Sequence, residues 1–463
     1  MDDQDFDRVA ATFATFHAQF APLFGRVESQ RHSEQYLRGL LVKHDERRNA
    51  ENLAEAIGGV TPRALQRLLT NAPWQHEPVI AALQAFLGPR LDAPDGVWVV
   101  DDTGFAKQGT KSVGVARQYS GTLGKVGNCQ IGVGLSYAGA RGHALVDMRL
   151  YLPHCWTDDR ARCQAAGVPA TVSYQAKPDL ALAMLRAARQ RGQLRARWVT
   201  ADEGYGQVPS FRDALDRDGW WYVLEVPATT PVFRSLARAA IPAWKGRGTK
   251  PTRPRLLDGE PLAVTVRTVA TELDADDWGS LTVAEGAQGP RSYQFAALRV
   301  WESRDGLPGR ACWLVLRRNL DGSELKYSLS NAPETTSCAT LGRVGATRWC
   351  IETDIQATKG AMGLDEYEVR SWQGWHHHIT LALLAGAFLV QLHQEWGEKD
   401  AADQPPASQS GAARVAAQTP LDLRRSASVA PGHSRTERAR QAVAYQTASD
   451  ETARAYRVEA TLK

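Results

Sequence analysis

Residues 196–226, ARWVTADEGYGQVPSFRDALDRDGWWYVLEV, decide the fold. ARWVTAD (196–202) has the length and apolar content of a buried strand, PSFRDALDRDG is a short helix opened by proline and closed by glycine, and WWYVLEV (220–226) is a second strand. Two strands joined through a helix pair in parallel with a right-handed crossover. Upstream, VWVVD (97–101), CQIGVGLSY (129–137) and ALVDMRLYL (144–152) form three more strands, the last two joined as a hairpin through AGARG. DLALAMLRAARQRG then has helical periodicity and ends at Gly192. Three strands followed by helix, strand, helix and strand make a mixed sheet, antiparallel at its start and parallel thereafter.

Around this block the pattern changes. Residues 1–93 form a helical N-terminal domain, with Phe6, Val9, Phe13 and Phe16 at spacings of three and four. Within it, NLAEAIGGVTPRALQRLLTNAPW has the outline of a helix-turn-helix with a Thr61-Pro62 start; Arg63, Gln66 and Arg67 on the second helix suit DNA, and an ordinary helical hairpin suits the pattern as well. Residues 229–342 alternate in short segments such as YQFAALRVWES and CWLVLRRN and constitute an inserted β-rich domain. The sheet-bearing core therefore comes in two parts, 94–228 and 343–396, the second carrying helices. The tail, 397–463, is polar with few large apolar residues and is expected to be disordered. The order of elements is an RNase H-like α/β arrangement.

Composition narrows the class without naming the activity. The chain has 463 residues, 43% of them apolar, enough for a sizeable core. No apolar run is long enough to cross a membrane and the start, MDDQDFDRV, is acidic, so a cytoplasmic protein is expected. The six cysteines lack any zinc-binding spacing, and a net charge of +4 permits nucleic-acid binding through local patches without demonstrating it.

The chemistry lies in carboxylates. Asp101 ends the first strand, Asp202 ends the fourth, and Glu352 lies in RWCIETDIQATKG after the β-rich segment. In an RNase H-like sheet the first and fourth strands are central neighbours, so their ends meet, and a later helix brings the third acid. Such a trio suits two hard cations, Mg²⁺ with Mn²⁺ as a substitute, for attack on a phosphodiester. Strand alternation puts Asp101 and Asp102 on opposite faces, so one of the two faces the metals. Arg348, Glu352 and Lys359 stand four and seven residues apart and share one helical stripe, a carboxylate for metal between two cations for phosphate.

DDTGFAKQG, ARQYSGTLGKVGNCQIGVGLSY, ADEGYG and RWCIETDIQATKG, with GLDEYEVRSWQGWHHHITLALLA, resemble the DDE transposases of bacterial insertion sequences. The resemblance runs from the N-terminal helices to about residue 395. It implies metal-dependent cleavage at transposon ends and strand transfer into target DNA, by a dimer or larger assembly on paired terminal repeats in the bacterial nucleoid. In the branch signature Tyr, Arg, Glu and Lys recur; here Arg348, Glu352 and Lys359 fit, and Gly345 stands in the Tyr place. The family pattern of Asp, any residue, then Thr or Ser selects Asp101 with Thr103.

Lys107, Arg117 and Lys125 lie in a glycine-rich basic segment read as flexible and suited to phosphate contacts, a solvated loop being the alternative. By resemblance Trp301 or Trp313 would stack on a flipped base, the competing role being core packing. His376, His377 and His378 are consecutive on a helix and cannot chelate one ion together. The rival functions are an RNase H-like nuclease or resolvase without strand transfer, and a DNA-binding derivative without catalysis.

Overall fold

The computed structural model describes residues 3–42, 47–286 and 289–402. The expectation for the polar tail falls, from residue 403 onward, outside the described residues; 397–402 are helical. Two compact units are present: residues 17–387, which hold the sheet, and the two chain ends, 1–16 with 388–463. In the second of these, Phe13 and Phe16 pack on Phe388 with ring centroids 5.3 Å apart in each case.

The N-terminal region is built of α1 (Asp3–Phe20), α2 (Val27–Leu41), α3 (Ala50–Ile57), α4 (Pro62–Thr70) and α5 (His76–Leu91). The Thr61-Pro62 start holds: the Thr61 hydroxyl accepts from Ala64 N at 3.3 Å, while Pro62 supplies no orphan N–H. Between α3 and α4 the chain turns through Gly58 and Gly59, both at φ +65°, a conformation side chains with Cβ avoid. Leu65, Leu68 and Leu69 are buried and Arg63, Gln66 and Arg67 are exposed.

One sheet of twelve strands runs through the larger unit. Its first part comprises β1 (Val97–Ala106), β2 (Ala116–Ser120), β3 (Lys125–Gly139), β4 (Gly142–Tyr151), β5 (Trp198–Ala201) and β6 (Trp221–Glu225). β1 pairs antiparallel with β3, and β3 with both β2 and β4; β1 pairs parallel with β5, and β5 with β6. The crossovers are α6 (Lys177–Arg191) from β4 to β5, and α7 (Pro209–Arg217) from β5 to β6. This mixed α/β sheet is consistent with an RNase H-like arrangement. β1 is central because VWVV is apolar on both faces, and all four residues are buried.

The segment after β6 adds β7 (Pro231–Phe233), β8 (Val264–Thr265), β9 (Gly279–Gly286), β10 (Gly289–Arg304), β11 (Leu307–Asn319) and β12 (Lys326–Ser330). These strands continue the same sheet: the order is β8-β7-β10-β11-β12-β6-β5-β1-β3-β2, with β9 on β10 and β4 on β3. The junction is short, Ser328↔Glu225 and Leu329↔Leu224. Beneath it Val232, Val266, Val269, Val300, Leu314 and Leu316 form a buried cluster. The chain returns through α8 (Cys338–Ala346), α9 (Trp349–Met362) and α10 (Trp372–Ala402).

The basic segment after β1 differs from the flexible stretch expected of it. Arg117 lies in β2 opposite Asn128, and Lys125 opens β3 opposite Ser120, so this part is a hydrogen-bonded hairpin and not a loose loop. Its glycines concealed the strand alternation. The three histidines of α10 are packed: His377 lies 3.6 Å from the Trp74 ring with its nitrogens facing Leu68 O and Trp74 O, and His378 joins Tyr36 to Gly363 O.

The β-rich strands are tied to the crossover helix α7 by a buried ion pair, Arg212 Nε to Glu302 Oε1 at 3.1 Å, the two side chains only 5% and 4% exposed. Removing one partner strands a buried charge, which costs about 3–5 kcal/mol. Glu302→Ala is therefore expected to lower the unfolding free energy by that amount, and Arg212→Met/Glu302→Leu together by much less, as read by urea denaturation.

Candidate active site

The parallel pairing of β1 and β5 sets Val100 against Ala201, which carries the next residues, Asp101 and Asp202, to the same sheet edge. Asp202 caps the short helix Glu203–Gly206, its Oδ1 accepting from Gly204 N at 3.0 Å and Tyr205 N at 3.4 Å. Asp101 Oδ1 accepts from Asp102 N at 2.7 Å, while Oδ2 lies 3.5 Å from Arg348 Nη1. The same nitrogen is 2.6 Å from Glu352 Oε1, and Arg348 Nε is 3.3 Å from Glu225 Oε1. One guanidinium at the start of α9 is thus shared by three carboxylates.

Electrostatics follow from this crowding. Burial, and then the charge of Asp202, push the Asp101 carboxyl up to about 7, with Arg348 opposing. Burial and then Asp102 raise Asp202 as well. Burial works against the Arg348 charge, yet Glu225, Glu352 and Asp101 together hold it protonated above its ordinary range.

Asp102 Oδ2 lies 2.9 Å from Lys177 Nζ and accepts from the Tyr205 hydroxyl at 3.4 Å, and its charge still reaches Asp202. Tyr205 is buried, and burial together with the charges of Asp102, Asp101 and Asp202 keeps its hydroxyl protonated. Gly345 packs against β6: a Cβ there would stand 3.1 Å from Val223 Cγ1, so α8 lies too close to the sheet for a tyrosine without a shift.

Lys359 lies along β1, donating to Gly104 O at 2.9 Å and Thr122 Oγ1 at 3.4 Å, and burial lowers its pKa. Lys107 is drawn away from the carboxylates: its ammonium donates to Tyr367 O at 3.2 Å and sits 3.6 Å over that ring, and burial brings its pKa down to about 8. Arg117 and Lys125 are exposed on the β2–β3 hairpin. Trp313 is not brought to the site. It lies on β11, four strands from β1, donates its indole N–H to Pro333 O at 3.1 Å and carries Arg299 over its ring. Glu225 was not singled out from the sequence, although its place at the end of β6, the third parallel strand, is the signal: ends of parallel strands converge on one edge.

Among the described residues no three His, Cys, Asp or Glu side chains form a group that could hold one metal ion. The donor chemistry nevertheless fits a hard cation. Asp101, Asp202, Glu225 and Glu352 outnumber the guanidinium of Arg348 and that of Arg317 at the edge, and burial, then the neighbouring carboxylates, raise Asp101 and Asp202.

A mixed sheet with acids at the ends of adjacent parallel strands and a cationic helix start laid over them defines a class of phosphodiester-cutting folds. The family model of the DDE superfamily endonucleases matches residues 19–290, and the chain belongs to that family. The matched span includes Asp101 and Asp202 and stops before Glu352. The chain is also 26% identical over 363 residues to a protein of Microchaete diplosiphon named "Probable transposase for insertion sequence element IS701", covering 77% of this chain and 80% of that one. Among the described residues no helix is long and apolar enough to cross a membrane.

The raised Asp101 pKa has a consequence for stability. The unfolded acid ionises near 4 and the folded one near 7, so the folded state binds the extra proton in between and loses stability as pH rises through that window. At pH 8 the penalty is on the order of 3–4 kcal/mol, each unit being about 1.4. In EDTA, Asp101→Asn is expected to melt above wild type at pH 8 and level with it near pH 4; a constant difference across pH would contradict the shift.

Proposed function

We propose that this protein is a transposase that cuts the ends of an insertion sequence and joins them to target DNA by two-metal-ion phosphodiester chemistry. The observation that carries the reading is the meeting of Asp101 and Asp202 on adjacent parallel strand ends under the Arg348–Glu352 start of α9. Asp101, Asp202 and Glu352 would hold Mg²⁺ or Mn²⁺, which when bound activates the attacking oxygen and stabilises the leaving one. Glu352 is half-exposed on Arg348 and would have room to turn to a metal, which would leave the guanidinium to offer a planar fork to a phosphate. Tyr205 holds a hydroxyl beside the aspartates, the kind of group the branch signature places at the position occupied here by Gly345. Asp102, held by Lys177 and Tyr205 next to Asp202, is the reserve for Asp101 as the metal-binding aspartate. The partners are terminal repeats and target DNA, engaged by a dimer or larger assembly in the bacterial cytoplasm.

The test is an in vitro reaction with purified protein, Mg²⁺, end-containing duplex and a target plasmid. Joined products are expected, and cut DNA without joining would assign a nuclease or resolvase instead. Asp101→Ala, Asp202→Ala and Glu352→Gln are each expected to lower cleavage and joining by about 10³-fold or more, and Arg348→Lys by about 10–100-fold. Full activity in Asp202→Ala would overturn the mechanism.

A further inference from the structure

Between β7 and β8 the chain makes an excursion that none of the chemistry above uses. Ala239–Ala240 pair antiparallel with Arg255–Leu256 as a two-stranded ribbon separate from the main sheet. Beyond the ribbon the tip is closed on itself, Trp244 Nε1 donating to Gly248 O at 3.2 Å, with Gly246 and Gly248 at φ +79° and +73°. Residues 234–255 contain seven Lys or Arg and no Asp or Glu, in a chain whose whole net charge is +4. Two of these cations are occupied near the base: Arg234 pairs with Glu272, and Arg238 with Glu260 at 2.6 Å. Lys245, Arg247, Lys250, Arg253 and Arg255 are exposed and pair with no carboxylate among the described residues. Ile241 and Trp244 at the tip are 56% and 53% exposed.

Five like charges held on a short folded arm repel one another, and a fold keeps such an arrangement at a cost unless an anion relieves it. The anion must be extended, because the cations are spread along the tip and do not converge on a point. We propose that this arm is a second DNA-binding element that grips the phosphate backbone of a duplex, with Trp244 and Ile241 as the apolar contacts beside it. β7 lies six strand steps from β1 in the sheet, at most roughly 30 Å at about 4.8 Å per step. The arm carries none of the carboxylates of the site and grows from a strand six places from β1, so the role assigned to it is grip and not chemistry.

The proposal rests on the transposase reading for its partner, but its test needs no cleavage. Full-length protein in EDTA is titrated onto a labelled duplex of about 30 base pairs between about 50 and 200 mM KCl, and log K is plotted against log salt. The variant with Lys245, Arg247, Lys250, Arg253 and Arg255 all changed to Gln is expected to lose about 2–4 from the magnitude of that slope, at about 0.9 per released phosphate contact, with affinity falling about 10–100-fold near 150 mM. Arg247→Lys/Arg253→Lys/Arg255→Lys should keep the wild-type slope, since phosphate contacts need charge alone, and all variants should melt with wild type because the changed side chains are exposed. An unchanged slope in the folded Gln variant overturns the arm, as does lost binding to phosphatidylserine vesicles with DNA binding intact. A wild type that yields no joined product while the Gln variant still loses slope removes the transposase reading and leaves the arm standing.

Discussion

The structure depends on one guanidinium. Arg348 stands between Asp101 on β1, Glu225 on β6 and Glu352 one turn along its own helix, and without it the strand ends would bring uncompensated carboxylates together. Parallel pairing forces that meeting, because strands that run the same way deliver the residues after them to one edge. The protein accepts the repulsion and limits it in two ways: burial and the charge of Asp202 push the Asp101 carboxyl up to about 7, and Lys177 pairs with Asp102. Such poised, mutually opposed charges are a mark of sites that trade stability for function.

Holding Arg348 in place requires that α9 cannot turn about its axis. On the face opposite the carboxylates, Asp354 accepts from the Ser136 hydroxyl at 2.7 Å and lies 2.6 Å from His143 Nδ1, so the helix is bonded to both β3 and β4. Burial disfavours the charged imidazole, but the bond and charge of Asp354 prevail and raise its pKa. The preceding helix, α8, lies flat on Val223 at Gly345, which fixes where α9 begins.

Much of this was legible in the sequence, and the reasons differ by element. VWVV and ARWVTAD were readable because central parallel strands are apolar on both faces, and the acids that end them stand out against that background. The Arg348–Glu352 spacing was readable because a helix returns to the same face after four residues. β2 was not, since Arg117, Tyr119 and the glycines around them break the alternation that a strand with one buried face would show. The merging of β7–β12 into the main sheet was invisible for a different reason. It hangs on the β12–β6 pairing, between residues about a hundred positions apart, and periodicity carries no information about such partners. Glu225 was missed with it, because its importance comes from the strand it ends and the helix that crosses it.

That continuity bears on the site. A six-stranded sheet, β1 to β6, would leave a bare edge at the strand that carries Glu225. β12 covers it through Ser328 and Leu329, and Tyr327 O accepts from Val226 N at 2.8 Å just beyond. Arg317 on the next strand lies 3.9 Å from Glu225 Oε1, adding a second cation to the carboxylate that steadies Arg348. The β-rich segment is therefore bonded to the carboxylate cluster itself, with Arg212 and Glu302 bracing it from the crossover helix.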